Sequence, residues 1–249
     1  MKAMILAAGL GTRLRPLTDD RPKALVEING RTLLEITLTR LKTFGVLEVI
    51  INVHHFADRI VAYLKANNNF GMQIEISREE VLLDTGGGLK KAGWFFLRDT
   101  ASIDEPFILH NVDVISTIDL RRMAQSYVEK QALATLAVQD RESKRYLLFD
   151  KKLQLCGRQK GSEENREIVR PEASGIFSLA FSGIHVISPR LLPMIQQDGV
   201  FSIIDVYLQL AAGGEKILGH RVDGDYWRDL GKLEQVKQAA EDYRQRVIS

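Results

Sequence analysis

The sequence predicts an α/β fold in which a mostly parallel sheet is sandwiched by helices, with a small β embellishment in its second half. Short apolar runs alternate with amphipathic helical stretches through the first half of the chain, the pattern of a sheet covered on both faces. The helical stretches carry apolar residues three and four apart, as at Leu34, Leu38 and Leu41, so each has one face to bury. A chain of 249 residues without internal repeats or a low-complexity linker then reads as one domain, 1–249, with a large core.

Taken in order, strands are expected at "AMILAA", "EVIINV", "MQIEIS", "PFILHNVD" and "LATLAVQ". Helices are expected at "LLEITLTRLKTF", "FADRIVAYLKA", "LKKAGWFF" and "LRRMAQSYVEK". Residues 140–171 form a charged insertion or flexible segment, with short strands near Tyr146–Phe149 and Leu153–Gly157 followed by a mobile surface stretch. The apolar pattern resumes at "IFSLAFSGIHVIS", and helices follow around Pro189–Gln196, Ile203–Ala212 and Leu233–Arg246.

Composition narrows the partners. Lys+Arg 34 against Asp+Glu 32 leaves a net charge of +2, too small to favour nucleic acid or a membrane surface as main partner. The single cysteine, Cys156, excludes an internal disulfide and a cysteine-rich metal site. The apolar run Ala3–Leu10 lacks a signal-peptide cleavage pattern, and no segment approaches the roughly 20 apolar residues of a membrane span. A cytoplasmic location is expected. Nothing in the composition chooses between a monomer and a homodimer.

Gly9 and Gly11 sit where the first strand ends, at the edge where parallel sheets bind ligands. Glycine admits positive φ and lets an anion approach the backbone amides. Thr12, Arg13 and Arg15 follow, then Lys23, and such groups pair with phosphate oxygens. The loop is not a P-loop, and Leu14 stands where the dinucleotide fingerprint needs a third glycine or alanine. Two readings stay open at this point: a polyphosphate cradle, or a tight turn with surface arginines.

Two other places carry the same ambiguity. Gly86, Gly87 and Gly88 in "LLDTGGGLKKA" precede the helix expected at Leu89 and read either as a backbone-built ligand contact or as a turn capped by Thr85. Asp113 follows the strand of "PFILHNVD" and is either a Mg²⁺ ligand for a polyphosphate substrate or a cap of the next turn. Asp229 in "YWRDLGKLE" reads, on its residues alone, as an acidic residue at a helix start.

"LAAGLGTRLRPLT" followed by "RPKALVEINGRTLLE" resembles the signature of the sugar-1-phosphate nucleotidyltransferases, LAAGxGTRLxPLT followed by PKxLxxxxGxPLL. The resemblance implies a Rossmann-like sheet of the nucleotide-diphospho-sugar transferase fold. It implies transfer of a nucleotidyl group from an NTP to a sugar-1-phosphate, with Mg²⁺ as cofactor and pyrophosphate as leaving product. Carried onto this chain, it expects nucleotide binding by Ala7, Ala8, Gly9, Gly11, Thr12, Arg13, Lys23, Asp84, Thr85, Gly86, Gly87 and Asn111. Arg13, Lys23 and Asp113 are its expected catalytic residues, and Asp113 and Asp229 its expected metal ligands. "LAFSGIHVISP" resembles the family's F-x-x-G-I-x-x-x-x-P, which assigns the sugar to Phe181, Ser182 and Gly183, and Asp205 of "FSIIDVYLQL" either reaches the sugar hydroxyls or faces solvent on a helix. Two positions depart from the pattern: Val112 replaces the glycine of the family's G-D, and Leu82, Leu83 and Asp84 stand where a Gln or Glu is usual.

Within the family, the short chain, "DTGGGL" and "YWRDLGKLE" look most like the N-acetylmuramate-1-phosphate uridylyltransferases of cell-wall sugar recycling. Heptose- and mannose-1-phosphate guanylyltransferases are the nearest alternatives, followed by a phosphocholine cytidylyltransferase. A non-catalytic nucleotide-sugar sensor is the alternative outside the enzymes. All five histidines are expected in loop and core roles, because none has metal-ligand spacing to another histidine or to cysteine.

Overall fold

The computed structural model describes residues 1–98, 105–171 and 175–245. The first half runs β1 (Ala3–Leu6), β2 (Glu27–Ile28), β3 (Arg31–Thr32), α1 (Leu33–Thr43), β4 (Glu48–Val53), α2 (Ala57–Ala66), β5 (Gln73–Arg78), α3 (Asp84–Ala92), α4 (Trp94–Leu97) and β6 (Phe107–Asn111). There follow β7 (Val114–Ser116), α5 (Leu120–Lys130), β8 (Ala134–Gln139), β9 (Arg145–Phe149), β10 (Leu155–Lys160), β11 (Arg166–Ile168), β12 (Phe177–Ile187), α6 (Ile203–Ala212), β13 (Ile217–Arg221), β14 (Trp227–Asp229) and α7 (Leu233–Arg244).

The main sheet has the order β11-β10-β9-β12-β6-β1-β4-β5, with β8 joining β12 to β13. Strands β5, β4, β1 and β6 are parallel, whereas β12 returns antiparallel to β6. Alternation along the strands divides the core between the two faces. Ala3 and Ile5 of β1, with Ile108 of β6, join the cluster that takes Leu34, Leu38 and Leu41 from α1. Met4, Phe107 and Leu109 join the opposite cluster with Phe95, Phe96 and Tyr207. Burial on both faces makes these strands mostly apolar, which is why they were legible as runs. Helix α1 starts cleanly because Thr32 accepts a hydrogen bond from the Glu35 N–H at 3.0 Å.

Three expectations are corrected. Gly86–Gly88 do not precede a helix but lie inside α3, which begins at Asp84. The stretch after Gly157 continues as strand to Lys160 and returns as β11, extending the sheet past β12; Leu147, Phe149 and Leu155 of the hairpin join the core cluster of Phe95 and Tyr207, and Leu148 and Cys156 are buried as well. The turn at Pro189–Met194 is 3-10 rather than α, with Pro189 at its start and Pro193 inside it removing backbone donors. Among the described residues no helix is long and apolar enough to cross a membrane.

Candidate active site

Strand β1 delivers Ala7 and Ala8 to the carboxyl edge of the sheet, and a buried polar network fixes them there. The Ala7 N–H donates to Asn52 Oδ1 at 2.7 Å, and Asn52 Nδ2 donates to Glu79 Oε1 at 2.7 Å. Glu79 Oε2 in turn accepts from the Leu83 N–H at 3.0 Å. A polar residue inside "EVIINV" and an acid just after β5 thus tie the first loop to the second. Gly11 has φ +67°, a left-handed turn that suits glycine, and Thr18 Oγ1 donates to its carbonyl at 2.8 Å. Gly9 has no atom within 4 Å of the place a Cβ would occupy. Leu14, at the position of the missing third glycine, is fully buried and anchors the loop in the core. Thr12, Arg13 and Arg15 remain exposed on the outside of the turn.

Lys23 is buried at the start of a 3-10 turn, and its ammonium is ion-paired with the Asp113 carboxylate. Asp113 lies between β6 and β7, and β7 pairs antiparallel with β14 so that Val114 faces Asp229. The Leu230 N–H donates to the Asp113 carbonyl at 2.8 Å. Two carboxylates separated by most of the chain therefore converge at one edge, with Arg13 beside them: a Cβ on Gly231 would stand 2.6 Å from Arg13 Nη2 and 2.7 Å from Asp229 Oδ1. Desolvation, and then the charge of Asp113, raise the Asp229 carboxyl above its ordinary range, with Lys23 and the Gly231 N–H pulling the other way. Val112 is buried in the apolar cluster with Leu14 and donates its N–H to the Leu6 carbonyl at 3.1 Å.

Phe181, Ser182 and Gly183 lie at a register irregularity of β12, behind this edge. The Ser182 carbonyl accepts from Trp227 Nε1 at 2.7 Å, and the Phe181 carbonyl accepts from Arg141 Nη2 at 2.8 Å. The Arg141 guanidinium stacks 3.6 Å from the centre of the Trp227 ring. These bonds hold β14, and with it Asp229. Gly183 has φ +74°, and a Cβ there would come within 2.9 Å of Asn111 Nδ2 and of Val114 Cγ2. Gly183 thus packs directly against Asn111 and Val114, while the Phe181 and Ser182 carbonyls hold Arg141 and Trp227.

The second glycine cluster is buried against protein. A Cβ on Gly86 would stand 2.5 Å from the Phe201 ring, and one on Gly88 would stand 2.7 Å from Glu79 Oε1. The Gly86 and Gly87 N–H groups both donate to the Phe201 carbonyl, at 2.9 and 3.3 Å. Thr85 does not cap its own helix; its hydroxyl accepts from the Ile203 N–H at the start of α6, at 3.0 Å. Asp84 and Thr85 nevertheless reach a cleft of about 460 Å³ between α3, α6 and the β9–β10 hairpin, whose walls include Tyr146, Arg158, Gln159 and Asp205. Asp205 is not free there, since Arg158 binds both its carboxylate, at 2.5 Å, and that of Glu167, at 2.6 Å.

A profile of the family described as Nucleotidyl transferase matches residues 2–246. The chain is 36% identical to an N-acetylmuramate alpha-1-phosphate uridylyltransferase of Caulobacter vibrioides, over 96% of this chain and 95% of that one. The chain belongs to the nucleotidyl transferase family. A second relative of the same description, from Neisseria meningitidis, is 30% identical over 96% of each chain. A mannose-1-phosphate guanyltransferase of Yarrowia lipolytica is 28% identical over 93% of this chain and 61% of its own length. The fold matches HddC from Yersinia pseudotuberculosis complexed with GMP-PN, with a TM-score of 0.75 at 23% identity over 97% of this chain and 99% of that one. As a member of this family the protein is an enzyme, a sugar-1-phosphate nucleotidyltransferase.

Two of the five histidines, His110 and His185, lie in the buried core. His110 and His185 are buried neighbours; burial, and next Arg40, push His110 down to about 4, and burial, and next His110, push His185 down to about 3. Both are neutral core residues near pH 7. Sequence reasoning missed Asn52, Glu79, Arg141 and the cleft face of β9 and β10. A polar residue interrupting an apolar strand was a usable signal for Asn52. Arg141 and the hairpin carried none, because their charges were indistinguishable from a solvated surface.

Proposed function

We propose that this enzyme transfers a uridylyl group from UTP to N-acetylmuramate-1-phosphate, releasing pyrophosphate and forming UDP-N-acetylmuramate, a nucleotide sugar of cell-wall metabolism. The observation that carries this reading is the convergence of Lys23, Asp113 and Asp229 beside the open Gly9 turn. The choice of substrates is supported by the two N-acetylmuramate uridylyltransferases that match over nearly their whole length.

An oxygen of the sugar phosphate attacks the α-phosphorus in line while the bond to pyrophosphate breaks, so no protein nucleophile is needed. The Gly9–Arg13 turn holds the triphosphate through backbone N–H groups, and Arg13 binds the departing pyrophosphate. Lys23 carries its charge to the reacting phosphates, where electrostatic preorganisation does most of the catalysis. Asp113 and Asp229 fit a Mg²⁺ ion: they supply oxygen ligands only, and desolvation, with the charge of Asp113 next, already raises the Asp229 carboxyl. Among the described residues no third acidic, histidine or cysteine ligand joins them, which suits an ion completed by water and phosphate oxygens. When bound, the ion supplies positive charge to the triphosphate. The acceptor sugar occupies the cleft beside α3 and α6, with Tyr146 and Ser202 on its walls.

The test is pyrophosphate release across UTP, GTP, CTP and TTP against N-acetylmuramate-, glucose-, mannose- and heptose-1-phosphates, with Mg²⁺ and with EDTA. A metal-dependent signal dominated by UTP with N-acetylmuramate-1-phosphate is expected. A signal dominated by GTP and a neutral hexose or heptose phosphate would replace this reading with the guanylyltransferase one. Nucleotide binding without release from any pair would favour a sensor.

A further inference from the structure

The acceptor cleft has an unbalanced charge that its own fold does not explain. In the β9–β10 ladder Arg145 stands directly opposite Lys160, and both are exposed and line the cleft. Like charges directly opposed across an antiparallel pair cost stability. Among the described residues neither side chain forms an ion pair, although the neighbouring Arg158 is held by Glu167 and Asp205, and Arg166 by Glu163. The acids on the cleft wall are Asp84 and Asp205, against Arg145, Arg158 and Lys160. With Asp205 taken by Arg158, two adjacent cations face the cavity with only Asp84 to oppose them.

None of Arg13, Lys23, Asp113 or Asp229 lines this cleft. An anion seated on Arg145 and Lys160 is therefore a part of the acceptor other than its reacting phosphate. We infer that the Arg145/Lys160 pair reads a carboxylate carried on the sugar of the acceptor, and so determines specificity for an acidic sugar-1-phosphate over a neutral one. This rests on the acceptor occupying that cleft, as proposed above. An ammonium and a guanidinium side by side give a carboxylate several charge-assisted donors. The ligand then supplies the countercharge that the cross-strand pair lacks. Selection works in both directions: a neutral sugar leaves the two cations unrelieved.

The deciding comparison uses N-acetylmuramate-1-phosphate and N-acetylglucosamine-1-phosphate, which differ only by the lactyl ether and its carboxylate. With UTP and Mg²⁺, Arg145→Gln and Lys160→Gln are each expected to lower kcat/KM for the acid acceptor about tenfold, the scale of one charge-assisted hydrogen bond. The neutral acceptor should lose less than threefold, and KM for UTP should stay unchanged. The melting temperature of the double variant should hold or rise, since a repulsion is removed; a merely structural pair would lower it. Equal loss for both acceptors, or preference for the acid surviving in the double variant, would overturn the inference. If the wild-type protein releases no pyrophosphate with either acceptor, the uridylyltransferase reading fails by itself. Calorimetric binding of the two sugar phosphates then decides the pair separately: tighter binding of the acid that disappears in the double variant supports it, and equal binding of the two overturns it.

Discussion

The two glycine clusters at the sheet edge are alike in sequence and opposite in use. Gly9 and Gly11 shape a turn whose outer side is empty: nothing lies within 4 Å of a Cβ on Gly9, and the loop's charges point outward. Gly86, Gly87 and Gly88 are inside a helix, packed against Phe201, Gly199, Glu79 and Asn52. The first cluster leaves space open at Gly9, and the second makes room for the protein. A glycine run therefore announces close approach without saying what approaches. The partner network, Asn52 and Glu79 running from Ala7 to Leu83, ties the two loops together at one edge of the sheet.

The largest effect is expected from the charge placed with the outer cluster. Lys23→Ala removes the buried ammonium paired with Asp113 and should lower kcat by about 10²–10³, the range for deleting one preorganised electrostatic group. Nucleotide affinity, measured by calorimetry, should fall less than tenfold, because the charge acts most strongly as negative charge redistributes in the transition state. Equal losses in turnover and affinity would reduce the outer turn to a binding element.

Next in size is the inner cluster. Gly87→Ala drives a methyl group onto the Gly199 carbonyl oxygen, and overpacking of this kind costs about 1–3 kcal/mol. For a chain of this size that is roughly 2–4 °C of melting temperature per kcal/mol. Gly9→Ala, by contrast, meets nothing in the protein. It should leave the melting temperature within about 1 °C and raise KM for the nucleotide by roughly tenfold, the loss expected of one obstructed backbone contact. If Gly9→Ala instead lowers stability as Gly87→Ala does, the distinction between the clusters collapses.

What the sequence could and could not reveal follows the same division. Mostly apolar runs identified β1, β4 and β6 because burial on both faces leaves few polar positions, Asn52 and His110 being the buried exceptions. The turn residues Gly9 to Lys23, and Asp113 at the end of β6, were legible because their position along a parallel strand already places them at the binding edge. The pairing of β7 with β14 was not legible. Each is three residues long, and β14 is tied to distant β12 through Trp227, with Arg141 stacked on its ring. The placing of Gly86–Gly88 inside α3 was hidden for a related reason: glycine is a poor helix former, and its use here is set by Phe201 and Gly199, more than a hundred residues away. The β9–β10 hairpin was read as strands, but its charges looked like a solvated face until the cleft opposite it was visible.

The smallest effect separates the outer region from the inner one by pH. Asp229 is held above the ordinary carboxylate range by desolvation and by Asp113. A carboxyl that keeps its proton more tightly in the folded than in the unfolded chain makes its own ionisation a stability cost. That cost is absent below the usual value of about 4 and complete once the pH has passed the raised one. A cation held by both carboxylates relieves it and binds the folded state alone, so it should raise the melting temperature by mass action. The gain on adding Mg²⁺ is therefore expected to be negligible near pH 4, where the raised Asp229 carboxyl keeps its proton, and to grow to about 2 °C or more at neutral pH. Asp229→Asn should remove both the gain and its pH dependence, whereas Gly87→Ala should lower the baseline and leave the gain intact. A gain that ignores pH, or survives in Asp229→Asn, would take Asp229 out of the cation site and leave the outer region to work through Lys23 and Arg13.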